Sequence, residues 1–230
     1  RADLLVSVGL DLEVGWLGNV QRGAKNPNLL EGGKGFFAAG DHIKAIEVPS
    51  GKVDRSLGDV HPLGNPHFQF DPLRVSLVVK ALADKLGSLD TENSQLYQDR
   101  AKAFETKVNK EMPIWRARIE KSKIKELITY HKSFNYFLNL FNIVALDTIE
   151  PKPGVPPTAK HIISLISLAK AKHVRCILNE SYFETNAAQR IQQDTKAITK
   201  IVPVEIAGDY FRLIETIVEA VEACGKGEKK

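Results

Sequence analysis

From Asp90 to Lys121 one apolar stripe runs without a break, and no other feature restricts the fold of this 230-residue chain so tightly. Leu96, Tyr97, Ala101, Phe104, Val108, Met112, Trp115 and Ile119 recur every three or four positions, which places them on one face of a single helix. At 1.5 Å per residue that helix spans roughly 45 Å, more than the width of a small α/β domain. Pro113 removes one backbone donor inside it and crowds the carbonyl four residues earlier, so a kink is expected there.

On both sides of the stripe, short runs rich in branched residues alternate with amphipathic stretches. The pattern predicts strands over 2–8, 126–130, 143–146, 174–178 and 200–206, and helices near 72–86, 132–141, 158–171, 185–198 and 209–223. Such alternation implies α/β architecture, with parallel sheets flanked by helices. Two halves of this kind around so long a helix suggest two lobes sharing a spine, the other reading being a long helix that lies across one domain. The expected division is an N-terminal lobe over 1–89, a linking helix over 90–121 and a C-terminal lobe over 122–230. Asp71 before Pro72 forms an N-cap with proline at the first helical position, and Gly87 is the C-cap candidate. Thr158, after Pro156 and Pro157, caps the next helix in the same way.

Bulk properties remove several function classes. The net charge of +4 is mild, and its cations are interspersed with acids, unlike a nucleic-acid footprint. No apolar run approaches the roughly 18 residues of a membrane span. The opening RADLLVSVGL reads as a strand in progress and not a signal peptide, as in a mature or truncated product. The tail GKGEKK reads as a solvated, frayed end. Cys176 and Cys224 are too few for a disulfide framework, and two buried or idle thiols are expected. GGKGFF lacks the spacing and hydroxyl of a phosphate loop, and GxGxxG after a strand, GxSxG, HExxH and CxxC are all absent. Histidine and carboxylate remain.

The loop GDVHPLGNPHFQFDP holds His61 and His67 among three prolines. His131 directly follows the strand ELITY, and Glu180 ends the strand CILNE. Ligands of open α/β sheets bind just outside the carboxyl ends of strands, where these two side chains fall. Glu205 lies near the end of KIVPVE. Side chains from these separate connections can converge on one cleft, and three such donors in a rigid frame suit zinc or a similar divalent ion. Each also has an ordinary explanation: a strand-end histidine can be a satisfied core group, and Glu180 can pair with a lysine or arginine. His42, His161 and His173 are assigned to structure, and His61 to hydrogen bonding within its loop.

GDVHPLGNPHFQFDP, TYHKSFNYF, EPKPGVPPTAKHI and ILNESYFE, in that order, resemble the metal-binding receptors of bacterial zinc and manganese ABC importers, a family of periplasmic solute-binding proteins. ADLLVSVGLDLEVGWL is similar to a segment early in their first lobe, and the resemblance extends to the helix at 209–223. It implies two α/β lobes joined by a long helix, with the metal between them. His67 of NPH and His131 of TYH match ligand positions. The family's last ligand is usually an aspartate after the final strand, and Glu205 falls nearest that place. Glu180 is the alternative, or a carboxylate hydrogen-bonded to a ligand, and His61 has a supporting role. The family's first histidine lies in a strand–helix unit, about 30–40 residues long, upstream of the segment matching ADLLVSV. That unit is expected to be missing here, which leaves a sheet edge exposed.

The function so implied is capture of Zn2+, with Mn2+ as the alternative, and delivery to the membrane permease of an ABC importer. The protein is then a monomer without catalytic activity or nucleic-acid partner, periplasmic or lipid-anchored on the outer face of the bacterial membrane. Imidazoles ligate in their neutral form, so binding should weaken as pH falls through about 6.5. A rival from another class is a metal-dependent hydrolase using His67, His131 and a carboxylate, with Glu180 as general base. A metal-free interaction module is the third option.

Overall fold

The computed structural model describes residues 2–51, 58 and 60–226, so Asp59 of the histidine loop and the last four tail residues lie outside it. Contacts within the chain divide it into two units. The first runs up to Lys110, and the second from Glu111 onward, with Gly58 grouped in the second.

The first unit contains β1 (Leu5–Ser7), α1 (Leu17–Ala24), β2 (Phe36–Ala38), α2 (Pro72–Leu89) and the beginning of α3 (Ser94–Ser122). β1 and β2 pair in parallel, Leu5 opposite Phe36 and Ser7 opposite Ala38. β1 is shorter than its apolar run because Gly9, Leu10 and Asp11 take left-handed backbone, with φ of 81°, 55° and 64°. Glu13 stabilises that reversal: its carboxylate accepts from the amides of Val8 at 2.7 Å and Gly9 at 3.1 Å. Neither α1 nor β2 was expected, since a three-residue strand that begins at the end of GGKGFF gives almost no periodic signal. α2 starts where the cap rules place it, with Asp71 Oδ1 accepting from the amides of Leu73 and Arg74. Its end differs. The helix passes Gly87 and stops at Leu89. Gly87 instead permits close packing, because a Cβ there would lie 2.5 Å from Ser94 Oγ.

α3 is one helix that continues through Pro113. Ala101, Val108, Met112, Trp115 and Ile119 of the stripe are buried, whereas Leu96 at its start is 45% exposed. Within the second unit α3 is tied to α7 (Tyr210–Lys226): Trp115 Nε1 donates to Glu215 at 2.9 Å, and Arg118 bridges Glu215 and Glu222.

The second unit continues with β3 (Glu126–Thr129), α4 (Asn135–Leu140), β4 (Val144–Thr148), α5 (Ala159–Ala171), β5 (Cys176–Glu180), α6 (Asn186–Asp194) and β6 (Ile198–Val202) before α7. The strands are all parallel, in the order β4-β3-β5-β6. β5 is buried along its whole length, as a central parallel strand should be. Ile177 packs with Leu165, Ala169, Ala188 and Ile191 from α5 and α6. Cys176, on the opposite face by strand alternation, is bonded to Cys224 of α7. Helices therefore cover both faces. α7 buries Leu213, Ile214, Ile217, Val218 and Val221, each worth about 1.5–3 kcal/mol relative to exposure.

Two expectations are corrected here. The cysteines are not idle thiols but a disulfide, with a Cα–Cα distance of 5.2 Å across 48 residues of sequence. The boundary between α6 and β6 also falls earlier than the periodicity suggests. α6 ends at Asp194, the Thr195 hydroxyl receives the Ala197 amide, and β6 runs only to Val202. Pro203 has no N–H for the ladder and stops the strand, so Glu205 lies beyond it. Among the described residues no helix is long and apolar enough to cross a membrane.

Candidate metal-binding site

The strand order sets the position of the chemistry. The chain leaves β3 toward β4 on one side and leaves β5 toward β6 on the other, so the two connections diverge between β3 and β5. That divergence makes a crevice at the carboxyl ends of the two strands, the usual ligand position in an open parallel sheet. His131 follows β3 after one residue, and Glu180 is the last residue of β5.

His131 Nδ1 lies 2.6 Å from Glu150 Oε2. Glu150 follows β4 and is buried, and its other oxygen accepts from the Gly154 amide at 3.3 Å. Phe183 walls the site: it stacks on Tyr130 with ring centroids 4.2 Å apart and stands 6.0 Å from the His131 ring. The turn that presents Phe183 closes through its own amide to the Glu180 carbonyl at 3.1 Å. Glu180 itself is fully buried. Burial pushes its carboxyl up to about 7, while the Ser133 hydroxyl, the His131 charge and the His131 amide act in the opposite sense. These donors stand near enough to ease the charge, yet neither carboxylate oxygen has a hydrogen bond of full geometry among the described residues. Burial, followed by the charges of Glu150, Glu180 and Glu184, raises Tyr130. One imidazole and two buried carboxylates thus share one strand-end crevice.

His67 belongs to the first unit and is half-buried at the start of a short 3-10 turn, Phe68–Phe70. Asn65 shapes the approach to it: its Oδ1 accepts the His67 amide at 2.8 Å, and its Nδ2 donates to Glu47 at 2.7 Å. Gly64, at φ 109°, leaves no room for a Cβ, which would sit 2.9 Å from the Ile46 carbonyl oxygen. His61 lies at the beginning of the preceding turn, its carbonyl accepting from the Gly64 amide at 3.1 Å. Glu205 is exposed on the segment between β6 and α7, three residues beyond the end of the final strand. His161 donates to the Thr148 carbonyl at 2.8 Å, and His42 stacks on Phe37. Among the described residues no three His, Cys, Asp or Glu side chains stand together in metal-holding geometry.

Sequence reasoning missed Glu150. It lies two positions past a strand end just as His131 does, but its proline-rich surroundings drew attention away from its carboxylate.

Each unit carries a parallel sheet, and α3 contributes residues to both units. The family model described as ZnuA, zinc-uptake complex component A, periplasmic, matches residues 1–224, and the chain belongs to this family. The high-affinity zinc uptake system protein ZnuA of Brucella abortus is 27% identical over 164 residues, covering 69% of this chain and 49% of that protein. The zinc-binding lipoprotein AdcA of Streptococcus pneumoniae is 23% identical over 180 residues, covering 78% of this chain and 34% of that protein. The chain thus spans about half or less of the length of these relatives. A zinc-bound crystal structure of a ZnuA deletion mutant superposes with a TM-score of 0.80 at 19% identity, covering 99% of this chain and 80% of that one. FpvC of Pseudomonas aeruginosa in complex with Mn2+ gives 0.75 at 19% identity, covering 97% and 78%. At such identities the structural matches establish the fold.

Proposed function

We propose that this protein is an extracytoplasmic receptor that captures a divalent cation, Zn2+ before Mn2+, and delivers it to the permease of an ABC importer. The observation that carries this reading is His131 at the β3–β5 crevice, hydrogen-bonded to one buried carboxylate and adjacent to another, in a chain of the zinc-uptake family. His67 and His131 are its proposed nitrogen ligands. The geometry favours Glu180 over Glu205 as the accompanying carboxylate, because Glu180 is buried beside His131 and Glu205 is exposed beyond β6. His61 supports the His67 loop. Imidazole-rich ligation suits zinc, and added carboxylate brings manganese within range. The cation is cargo, so the site must release it; a receptor has no need to hold an activated water.

The disulfide agrees with an oxidising compartment outside the cytoplasm. The named relatives are uptake and binding proteins, so the hydrolase alternative with Glu180 as general base gains nothing from them. Isothermal titration with zinc tests the proposal. Wild-type protein should bind zinc, and His131→Ala and His67→Ala should each weaken binding by at least tenfold. Unchanged affinity in both variants contradicts the ligand assignment, and hydrolysis of an ester abolished by Glu180→Gln would contradict the receptor.

A further inference from the structure

We propose that Glu150 is a positioning residue that fixes the tautomer and orientation of His131, so that the ring offers Nε2 to a cation. Its consequence for metal capture rests on the receptor reading above; its hold on the ring stands on the second unit alone. A carboxylate oxygen 2.6 Å from Nδ1 accepts a hydrogen bond, so the ring proton belongs on Nδ1. The lone pair of the neutral imidazole then resides on Nε2, and a lone pair is what a metal ligand must supply.

Glu150 is held for this task by more than His131. Its amide donates to the Tyr130 carbonyl at 3.0 Å, and the Ile149 amide donates to Thr129 at 2.9 Å, which extends the β3–β4 ladder beyond both strands. The Thr148 hydroxyl donates to the Glu150 carbonyl at 2.6 Å. On the far side of the carboxylate is the turn Lys152–Val155, closed by the Val155 amide to the Lys152 carbonyl at 2.9 Å. Pro153 occupies its second position and Gly154, at φ 76°, its third, which is the type II arrangement. The Gly154 amide meets Glu150 Oε1. The proline-rich segment is thus the brace of a carboxylate that in turn braces an imidazole. An exposed ion pair lacks such support, and Glu150 is only 5% exposed.

Long-range 1H–15N correlation spectra of metal-free protein read the His131 tautomer directly, with the signal assigned by its loss in His131→Ala. Wild-type His131 should be the Nδ1–H form. Glu150→Ala should shift it toward Nε2–H and weaken zinc binding about 100-fold, whereas Glu150→Gln, which retains an acceptor, should keep Nδ1–H and weaken binding about tenfold. Circular dichroism checks folding; if Glu150→Ala does not fold, Glu150→Gln alone decides through zinc affinity. A wild-type Nε2–H ring overturns the proposal. So does an unchanged tautomer in folded Glu150→Ala, or zinc affinity in Glu150→Gln within twofold of wild type while His131→Ala abolishes binding. Unchanged zinc affinity in His131→Ala defeats the receptor reading instead, and a tautomer that still responds to Glu150→Ala supports the hold on the ring.

Discussion

The two ends of the four-stranded sheet treat their polar atoms differently. At the amino end they are used to hold the fold. Arg175, just before β5, donates to the carbonyls of Lys123 at 3.1 Å and Ser122 at 3.4 Å, closing the end of α3. Gln192 accepts the Thr199 amide at 2.7 Å, Asp194 pairs with Arg190 at 2.9 Å, and the Cys176–Cys224 disulfide staples β5 to α7. The cavity at this end, about 1000 Å³, is lined by Lys170, His173, Arg175 and Lys196 among others. At the carboxyl end, buried oxygens of Thr129, Ser133, Asn179 and Glu180 lack hydrogen bonds of full geometry among the described residues. Buried polar atoms are normally satisfied, so these exceptions distinguish the carboxyl end, which carries His131 and Glu180, from the amino end.

That contrast predicts opposite responses to substitution. Cys224→Ser at the amino end should cost about 4 kcal/mol in urea unfolding, the chain-entropy value for a 48-residue loop. Zinc affinity of the folded variant should stay within twofold; a larger loss would show that the two ends are coupled.

Glu180→Gln should act with the opposite sign on stability. The folded carboxyl sits near 7 against an ordinary value of 4.5, so between those pH values the folded state binds more protons than the unfolded one. Its contribution is whole below pH 4.5 and falls as pH rises to about 7, a total on the order of 3 kcal/mol. Metal-free Glu180→Gln should therefore be more stable than wild type at pH 8 and lose that part of the pH dependence, as measured by thermal unfolding across pH. Its zinc affinity should nevertheless fall.

Smaller effects test the braces. Gly154→Ala, forced to φ 76°, should cost about 1 kcal/mol by chemical denaturation and weaken zinc binding, because the amide on Glu150 shifts. Lys170→Ala, on the exposed rim at the amino end, should change stability by less than about 0.5 kcal/mol and leave zinc affinity unaltered.

Local chemistry was legible in the sequence, and pairing across the fold was not. Asp71 and Pro72 announce their helix, and Asn65 next to Pro66 announces a shaped loop, because those effects act within a few residues. His131 and Glu180 could be placed because strand ends are visible in branched apolar runs. Glu150 was hidden, since its meaning arises only when β4 lies beside β3 and brings it within 2.6 Å of His131. The disulfide was hidden for the same reason: α7 must cross β5 before the two sulfurs meet. Glu205 shows the opposite error. An apolar pattern suggested a strand through it, although Pro203 already marked the stop.

The most direct test is anomalous diffraction at the zinc edge from crystals of the zinc-loaded protein. A cation peak about 2.0–2.1 Å from His131 Nε2, with Glu150 still on Nδ1, is the predicted result. A peak at the amino end near His173, or one near Glu205 with His131 unligated, would contradict it.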